Sequence, residues 1–240
     1  MTAEQPNAAA STDDFEFAAL REARNYRTAL VGQFASHLRG GVIEIGAGIG
    51  QITEMLRGLP TIERLVSVEP DERFCRLFRA AFPGQTLIEG TIQQVPPVGP
   101  WHAILSINVL EHIRDDEEEL AAYRELLQPQ QGSLCLFVPA RPEIFAPLDL
   151  DFGHHRRYTR PELAAKLQRA GFDIVRLRYF NFVGYFAWWL NFCVLKKRGF
   201  DVASVRWFDR VIFPPTHWIE SKLFSPPIGQ SLLAVARARS

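Results

Sequence analysis

Val42-Ile43-Glu44-Ile45-Gly46-Ala47-Gly48-Ile49-Gly50 is the stretch on which the fold of this chain turns. Apolar residues surround one acid, the composition of a short buried strand, and three alternate glycines follow. Gln51-Ile52-Thr53-Glu54-Met55-Leu56 then reads as the start of a helix. Strand, glycine turn and helix let backbone approach a nucleotide-like ligand with no Cβ in the way. A nicotinamide site of the form G-x-G-x-x-G needs a glycine where this chain has Gln51, and an apolar strand end where it has Glu44. Taken alone, the turn also suits any doubly wound protein.

The 240 residues suit one large α/β domain, or one domain with an insertion. Basic and acidic residues both number 27, so there is no bulk positive charge for nucleic acid and no such partner is expected. Cys75, Cys135 and Cys193 are widely spaced and odd in number, which suggests reduced thiols in a cytoplasmic protein; none has metal-ligand spacing. Residues 1–14 are polar and lack the basic start and apolar core of a signal peptide, so they read as a disordered lead-in to a domain over 15–240.

Apolar residues at Phe15, Ala18, Ala19, Tyr26, Ala29, Leu30, Phe34 and Leu38 have helical spacing ahead of the first strand. A second strand over 64–71 finishes on Glu69, where a doubly wound fold needs a carboxylate to accept ribose hydroxyls. Asp71 and Glu72 suit the start of the next helix, whose Phe74, Leu77, Phe78 and Ala81 are spaced to face inward. Gln85 to Gly90 is a third strand. Trp101 to Ile107 is a fourth, with Asn108 opening a loop at its carboxyl end. The acids 115–119 predict a solvated helix start without a catalytic role. Strands over 133–139 and 173–179 follow, with a helix between them begun by the capping spacing Thr159-Arg160-Pro161-Glu162. Residues 230–237 form a last strand.

The run E-x-G-x-G-x-G at Glu44 to Gly50 resembles motif I of the class I S-adenosylmethionine (SAM)-dependent methyltransferases. Asn108-Val109-Leu110-Glu111-His112-Ile113 is similar to the segment after the fourth strand in the small-molecule members, and L-x-P-x-x-G-x-L-x-L-x-V-P over 127–139 resembles the lead into their fifth strand. Gly153-His154-His155-Arg156-Arg157-Tyr158-Thr159 matches a G-H-x-R-R-Y-T loop found in a subgroup, of the methyltransferase type 11/12 kind. The resemblance covers about 42–179 and the last strand. It implies a Rossmann-like three-layer α/β sandwich with a seven-stranded, mostly parallel sheet and a last antiparallel strand. It implies SAM as cofactor and S-adenosylhomocysteine as product. Glu44 and the Gly46-Ala47-Gly48 backbone would flank the methionine part, Glu69 and Pro70 the ribose, and Gly90, Thr91 and Ile92 the adenine. Asn108 to His112, with Asn108 and Val109 counted among the cofactor contacts, would lie near the transferring methyl. Tyr26 is either plain core or a residue closing over the cofactor. Some relatives hold magnesium with E-x-x-E-H at this place; Asn108 stands in the first position here, so no metal is expected.

The long segment 140–158 lies at a strand's carboxyl end, where loops of this length are usually functional. An imidazole can take a proton from a hydroxyl, so His154, His155 and His112 are the candidate bases. Arg156, Arg157 and Tyr158 are the candidate substrate contacts, since arginine holds carboxylate or phosphate bidentately. Alternatively, an arginine pairs with Asp149 or Asp151 and only folds the loop. The aromatic-rich stretch 179–228 holds Trp188, Trp189, Trp207 and Trp218, with Lys196-Lys197-Arg198 among them. It falls short of a transmembrane helix and is open to three readings: a helical cap over the site, a homodimer interface, or a peripheral membrane patch for a lipid-linked acceptor. The expected function is methyl transfer to a small-molecule or lipid-linked acceptor. The alternatives are a non-catalytic SAM-fold or membrane-associated binding module, and a nicotinamide-dependent oxidoreductase.

Overall fold

The computed structural model describes residues 21–199 and 201–240; the lead-in at 1–14 and the helical positions Phe15, Ala18 and Ala19 lie outside the described residues. The strands are β1 (Gly40–Ile45), β2 (Ile62–Glu69), β3 (Thr86–Glu89), β4 (Trp101–Ile107), β5 (Ser133–Pro139), β6 (Phe172–Phe180) and β7 (Ser231–Ala238). They form one sheet in the order β3-β2-β1-β4-β5-β7-β6. β1 to β5 are parallel, and β7 runs antiparallel between β5 and β6. The chain moves outward from β1 to β3 and then crosses back to β4, so the topological switch point lies at the carboxyl ends of β1 and β4. That is where open α/β sheets bind ligands.

Side-chain alternation along each strand feeds two cores. On one face Ile43, Val66, Ile104 and Leu134 pack beneath Leu120, Tyr123 and Leu127 of α4 (Asp116–Leu127) and Leu163 and Leu167 of α6 (Arg160–Arg169). On the other, Val42, Leu105, Phe137 and Val235 meet Leu30, Val31 and Phe34 of α1 (Arg24–Phe34), Leu56 of α2 (Thr53–Leu56) and Phe213 of α9 (Phe213–Lys222). The Thr159–Glu162 capping box forms in both directions at the start of α6.

Two sequence expectations change here. In α3 (Glu72–Ala81), capped by the Asp71 carboxylate on the N–H groups of Arg73 and Phe74, the buried residues are Cys75 and Phe78, while Leu77 and Ala81 are exposed. This helix covers the thin β2–β3 edge of the sheet, so only a narrow stripe is enclosed. The acid run of α4 is also not wholly solvated, because Asp116 and Glu119 are buried. Asp116 accepts from the Tyr158 hydroxyl at 2.8 Å and pairs with Lys166 at 2.7 Å and Arg156 at 2.9 Å. It ties α4 and α6 to the 140–158 segment, which the helix-dipole pattern could not reveal.

Residues 182–222 form a helical cap: α7 (Phe182–Trp188) running into a π-helical turn (Trp189–Val194), then α8 (Val202–Trp207), a second π turn (Phe208–Ile212) and α9. Trp188 and Phe192 pack on Ile144, Ala146, Leu148 and Phe152 in a third apolar cluster, the latter two at α5 (Pro147–Asp151) and just after it. Among the described residues no helix is long and apolar enough to cross a membrane.

Candidate active site

The glycine turn is bolted to the tip of β2. Gly46 and Ala47 donate to the Val68 carbonyl at 2.9 and 3.0 Å. The Gly48 N–H donates to Glu69 Oε2 at 2.7 Å, and the Asp71 N–H to Glu69 Oε1 at 2.9 Å. Gly46 has φ +70°, and a Cβ there would sit 2.4 Å from Val109 Cγ2. At Gly50, φ is +88° and a Cβ would fall 2.1 Å from the Phe82 ring. Only glycine fits both positions, which leaves main chain bare at the switch point.

Glu44 lies beneath this turn instead of facing the cleft. Its Oε2 accepts from the Thr53 hydroxyl at 2.6 Å and the Ser67 hydroxyl at 2.8 Å, joining β1 to β2 and α2. Burial pushes its pKa up to about 7, against the lowering by those two hydroxyls. Burial likewise raises Glu69, opposed by the two backbone donors. A carboxylate has about four lone-pair positions, so Glu69 keeps acceptor capacity for a pair of hydroxyls after its two backbone bonds. Pro70 is exposed beside it. Beside Glu69, whose carbonyl accepts from the Gly90 N–H at 2.9 Å, Gly90 has φ +146°, Thr91 caps a 3₁₀ turn with Gln94, and Ile92 is buried. Bare backbone at Gly46 and Gly48, an edge carboxylate at Glu69 and an apolar floor at Ile92 fit a nucleoside-bearing cofactor.

At the end of β4, Asn108 takes a left-handed conformation, φ +52°, and donates its N–H to the Phe137 carbonyl at 2.9 Å. Asparagine tolerates this conformation better than most residues. A cavity of about 500 Å³ opens here, lined by Asn108, Tyr26, Glu111, His154, Arg157 and, from the cap, Trp188, Phe192, Trp207 and Phe208. The Tyr26 ring stands edge-on to Phe137 and Phe180, and burial raises its hydroxyl well above the usual range. Tyr26 is thus both core and cavity wall. The N–H groups of Asn25 and Tyr26 donate to the buried Asp209 carboxylate at 3.0 and 2.8 Å, which fastens α1 to the cap.

His154 is buried, with Nδ1 2.9 Å from Asp149 Oδ1. A carboxylate only accepts, so Nδ1 carries the proton and Nε2 is left as the acceptor. Asp149 is fully buried and also receives Arg157 Nε at 2.9 Å and Nη2 at 2.8 Å. Burial works to raise the Asp149 pKa, but His154 and Arg157 outweigh it and hold the carboxyl below its ordinary value. Glu111 Oε1 lies 3.9 Å from His154 Nε2. His112 stands edge-on to His154, ring centroids 4.8 Å apart; desolvation of its inner side, with His154 adjacent, lowers its pKa. Glu111, His112 and His154 bring one ligand atom each within 4.8 Å of one another, a donor set able to hold a divalent cation although the sequence predicts none.

The remaining expected contacts are not gathered at the cavity. His155 is exposed. Arg156 turns to Asp116 and the Arg114 carbonyl. Tyr158 is core, bonded to Asp116 and the Leu110 carbonyl. Arg157 lines the cavity, but its guanidinium is spent on Asp149, the Ala140 carbonyl and the face of Trp188 at 4.5 Å. Adjacent residues of an extended segment point to opposite sides, so four consecutive side chains could not all face one cavity. Glu111 was read from sequence only as part of the 108–112 run. Asp149 was read only as a possible arginine partner, and Arg157 does pair with it. Its hold on His154 is found only by its contacts.

A Rossmann-like sheet of this order, with a glycine cradle at its switch point and a carboxylate at the tip of β2, suits a nucleoside-bearing cofactor. Residues 17–177 match the family model described as "Methyltransferase domain", and the chain belongs to that family. Its cofactor is SAM, which excludes the nicotinamide reading. Solved structures agree in fold. A SAM-dependent methyltransferase from Clostridium acetobutylicum has TM-score 0.60 at 9% identity over 94% of this chain and 98% of that one. One from Mesorhizobium loti has TM-score 0.58 at 17% identity over 88% and 96%. A Haloferax volcanii chain, solved in complex with the Trm112 methyltransferase activator, has TM-score 0.62 at 14% identity over 98% and 100%. No curated protein matches the chain in sequence.

Proposed function

We propose that the protein methylates a hydroxyl or amine of a small-molecule or lipid-linked acceptor held in the capped cavity, with His154 as general base. The observation that carries this reading is a buried imidazole on the cavity wall whose Nδ1 is held by Asp149. SAM supplies a methyl group already activated as a sulfonium, so the protein needs chiefly to align the acceptor and exclude water. Gly46, Gly48 and Glu69 would hold the cofactor, with Gly90, Thr91 and Ile92 about its adenine and Tyr26, Asn108 and Val109 close to its reactive end. Glu44 supports the turn from below. His154 Nε2 is placed to take the acceptor's proton, and the imidazolium so formed would lie between Asp149 and Glu111; SAM, when bound, would supply the methyl and leave as S-adenosylhomocysteine. The walls from Trp188, Phe192, Trp207 and Phe208 favour an acceptor with an apolar body.

Calorimetric titration with SAM and S-adenosylhomocysteine, beside Glu69→Ala, tests the cofactor half. Micromolar binding that the variant loses is expected; unchanged binding removes Glu69 from the ribose role. Transfer of labelled methyl from SAM to apolar alcohols and amines, with His154→Ala as control, tests the other half. Turnover that persists undiminished in that variant refutes the base.

A further inference from the structure

Among the described residues, eleven of the fifteen large apolar side chains that are exposed fall between Phe186 and Phe224, in the cap and the two residues that follow it. They are not scattered. Phe186, Trp189, Leu190 and Val194 lie on the outer side of the α7–π helix, opposite the buried Trp188 and Phe192. Val211, Trp218, Ile219 and Leu223 form a second exposed stripe along the other helix. Phe182 joins the two, with its ring 5.1 Å from Phe186 and 6.2 Å from Phe224. Trp207 belongs to both sides: it is 58% exposed and also lines the cavity.

The charges on the cap are one-sided. Lys196, Lys197, Arg210 and Lys222 are exposed, as are Arg198 and Arg206, which pair with Asp151 and Glu22 outside the cap at 2.7 Å each. Of the cap's acids, Asp209 is buried on the amides of Asn25 and Tyr26, and Glu220 on those of Asn181 and Phe182. That leaves Asp201, which caps α8 through the Ser204 N–H. In a chain with no net charge, a basic rim around exposed tryptophan and leucine is a local arrangement. A second copy of the same face would set these cations against one another, whereas anionic lipid headgroups complement them. Tryptophan, with an apolar body and one N–H, is suited to the membrane–water boundary.

Resting on the reading of the cavity as the acceptor site, we propose that this face of the cap docks on an anionic phospholipid surface, so that a bilayer-borne acceptor enters past Trp207. With no spanning helix, the association is interfacial and reversible.

Flotation of the full chain with vesicles of phosphatidylcholine, alone or mixed with phosphatidylglycerol, tests this. Binding to the mixed vesicles is expected to be about tenfold or more tighter than to phosphatidylcholine, and to weaken as salt is raised. Trp189→Ser/Trp218→Ser/Leu223→Ser should lose about tenfold or more of that binding by removing three inserted side chains. Lys196→Glu/Lys222→Glu should lose at least about fivefold per charge. Both variants should bind SAM like the parent, which shows that they fold. A parent chain that binds SAM but floats with neither vesicle overturns docking and leaves methyl transfer standing. Vesicle binding without SAM binding does the reverse. Vesicle binding indifferent to both variants, or a solution dimer that Trp218→Ser dissolves, also overturns the proposal, the dimer by giving the face to a second copy.

Discussion

The two sides of the cleft are built in opposite ways. The proposed cofactor side is main chain and carboxylate drawn from 46 to 92, with Gly46, Gly48, Glu69 and Gly90 presented by successive strand ends of a parallel sheet. The acceptor side is side chains from distant stretches: Tyr26 before the sheet, Asn108 and Glu111 after β4, His154 and Arg157 from the long segment, and Trp188 to Asp209 from the cap. A cradle of backbone tolerates no added atom but little side-chain identity, whereas a wall of side chains can change occupant with the sequence that lines it. The first suits one invariant cofactor and the second an acceptor peculiar to the enzyme.

That contrast can be broken most severely at Gly46. Gly46→Ala adds a Cβ against Val109 in left-handed backbone, and SAM binding should weaken about a hundredfold or more; Val109→Ala should recover part of it but not the backbone cost of roughly 1–2 kcal/mol. Recovery to the full parental Kd in calorimetry would show that crowding alone had been at work. On the acceptor side, His154→Ala should lower kcat by about 10²-fold or more and leave the SAM Kd within a few-fold. A loss of SAM binding of the same size would move His154 to the cofactor side. Asp149→Asn should cost less turnover, about tenfold to a hundredfold, because the imidazole stays but its tautomer and orientation relax; an altered pH–rate profile would distinguish this from simple loosening of the loop.

At Glu44 the expected effect is on stability instead of binding or turnover. Its folded pKa of about 7 lies above the unfolded value of 4.5, so the contribution it makes while protonated is complete below pH 4.5 and is lost as pH rises through 7. The loss is about 3 kcal/mol, since each tenfold change in proton affinity is worth roughly 1.4 kcal/mol. Glu44→Gln can still accept from Thr53 and Ser67 through its amide oxygen. The variant should therefore lose less Tm than the parent between pH 5 and 8. Parallel Tm curves would mean that Glu44 is charged and well solvated in the folded protein.

The strand ends that carry the proposed cofactor side were legible because strand, glycine turn and the β2 acid are close in sequence and their spacing is dictated by the sheet. The predicted strands reappear within a few residues, β7 lies antiparallel beside β5 and β6 as the last strand should, and Asp71 caps α3 as its position suggests. For Glu44 that logic gave the position but not the surroundings: its carboxyl points down to Thr53 and Ser67, and a strand's alternation does not say how deep a turn rides above it. On the acceptor side the string 154–158 marked a functional loop, yet it could not sort its members. His154 turns inward and His155 outward, while Arg156, Arg157 and Tyr158 find Asp116 and Asp149, partners set by how α4 and α5 pack.

By itself, then, the amino-acid sequence determined the class of fold, the glycine turn after β1 and the presence of an aromatic insertion, because each depends on local spacing and on glycine's freedom at positive φ. Only the tertiary structure decided that His154 is the imidazole held by Asp149, that the cap closes an apolar cavity over it, and that the outer face of the cap carries tryptophan and lysine together. Those outcomes depend on contacts between segments tens of residues apart. Such contacts are chosen by packing and by the partners available to buried charge, and no periodicity along the chain records them.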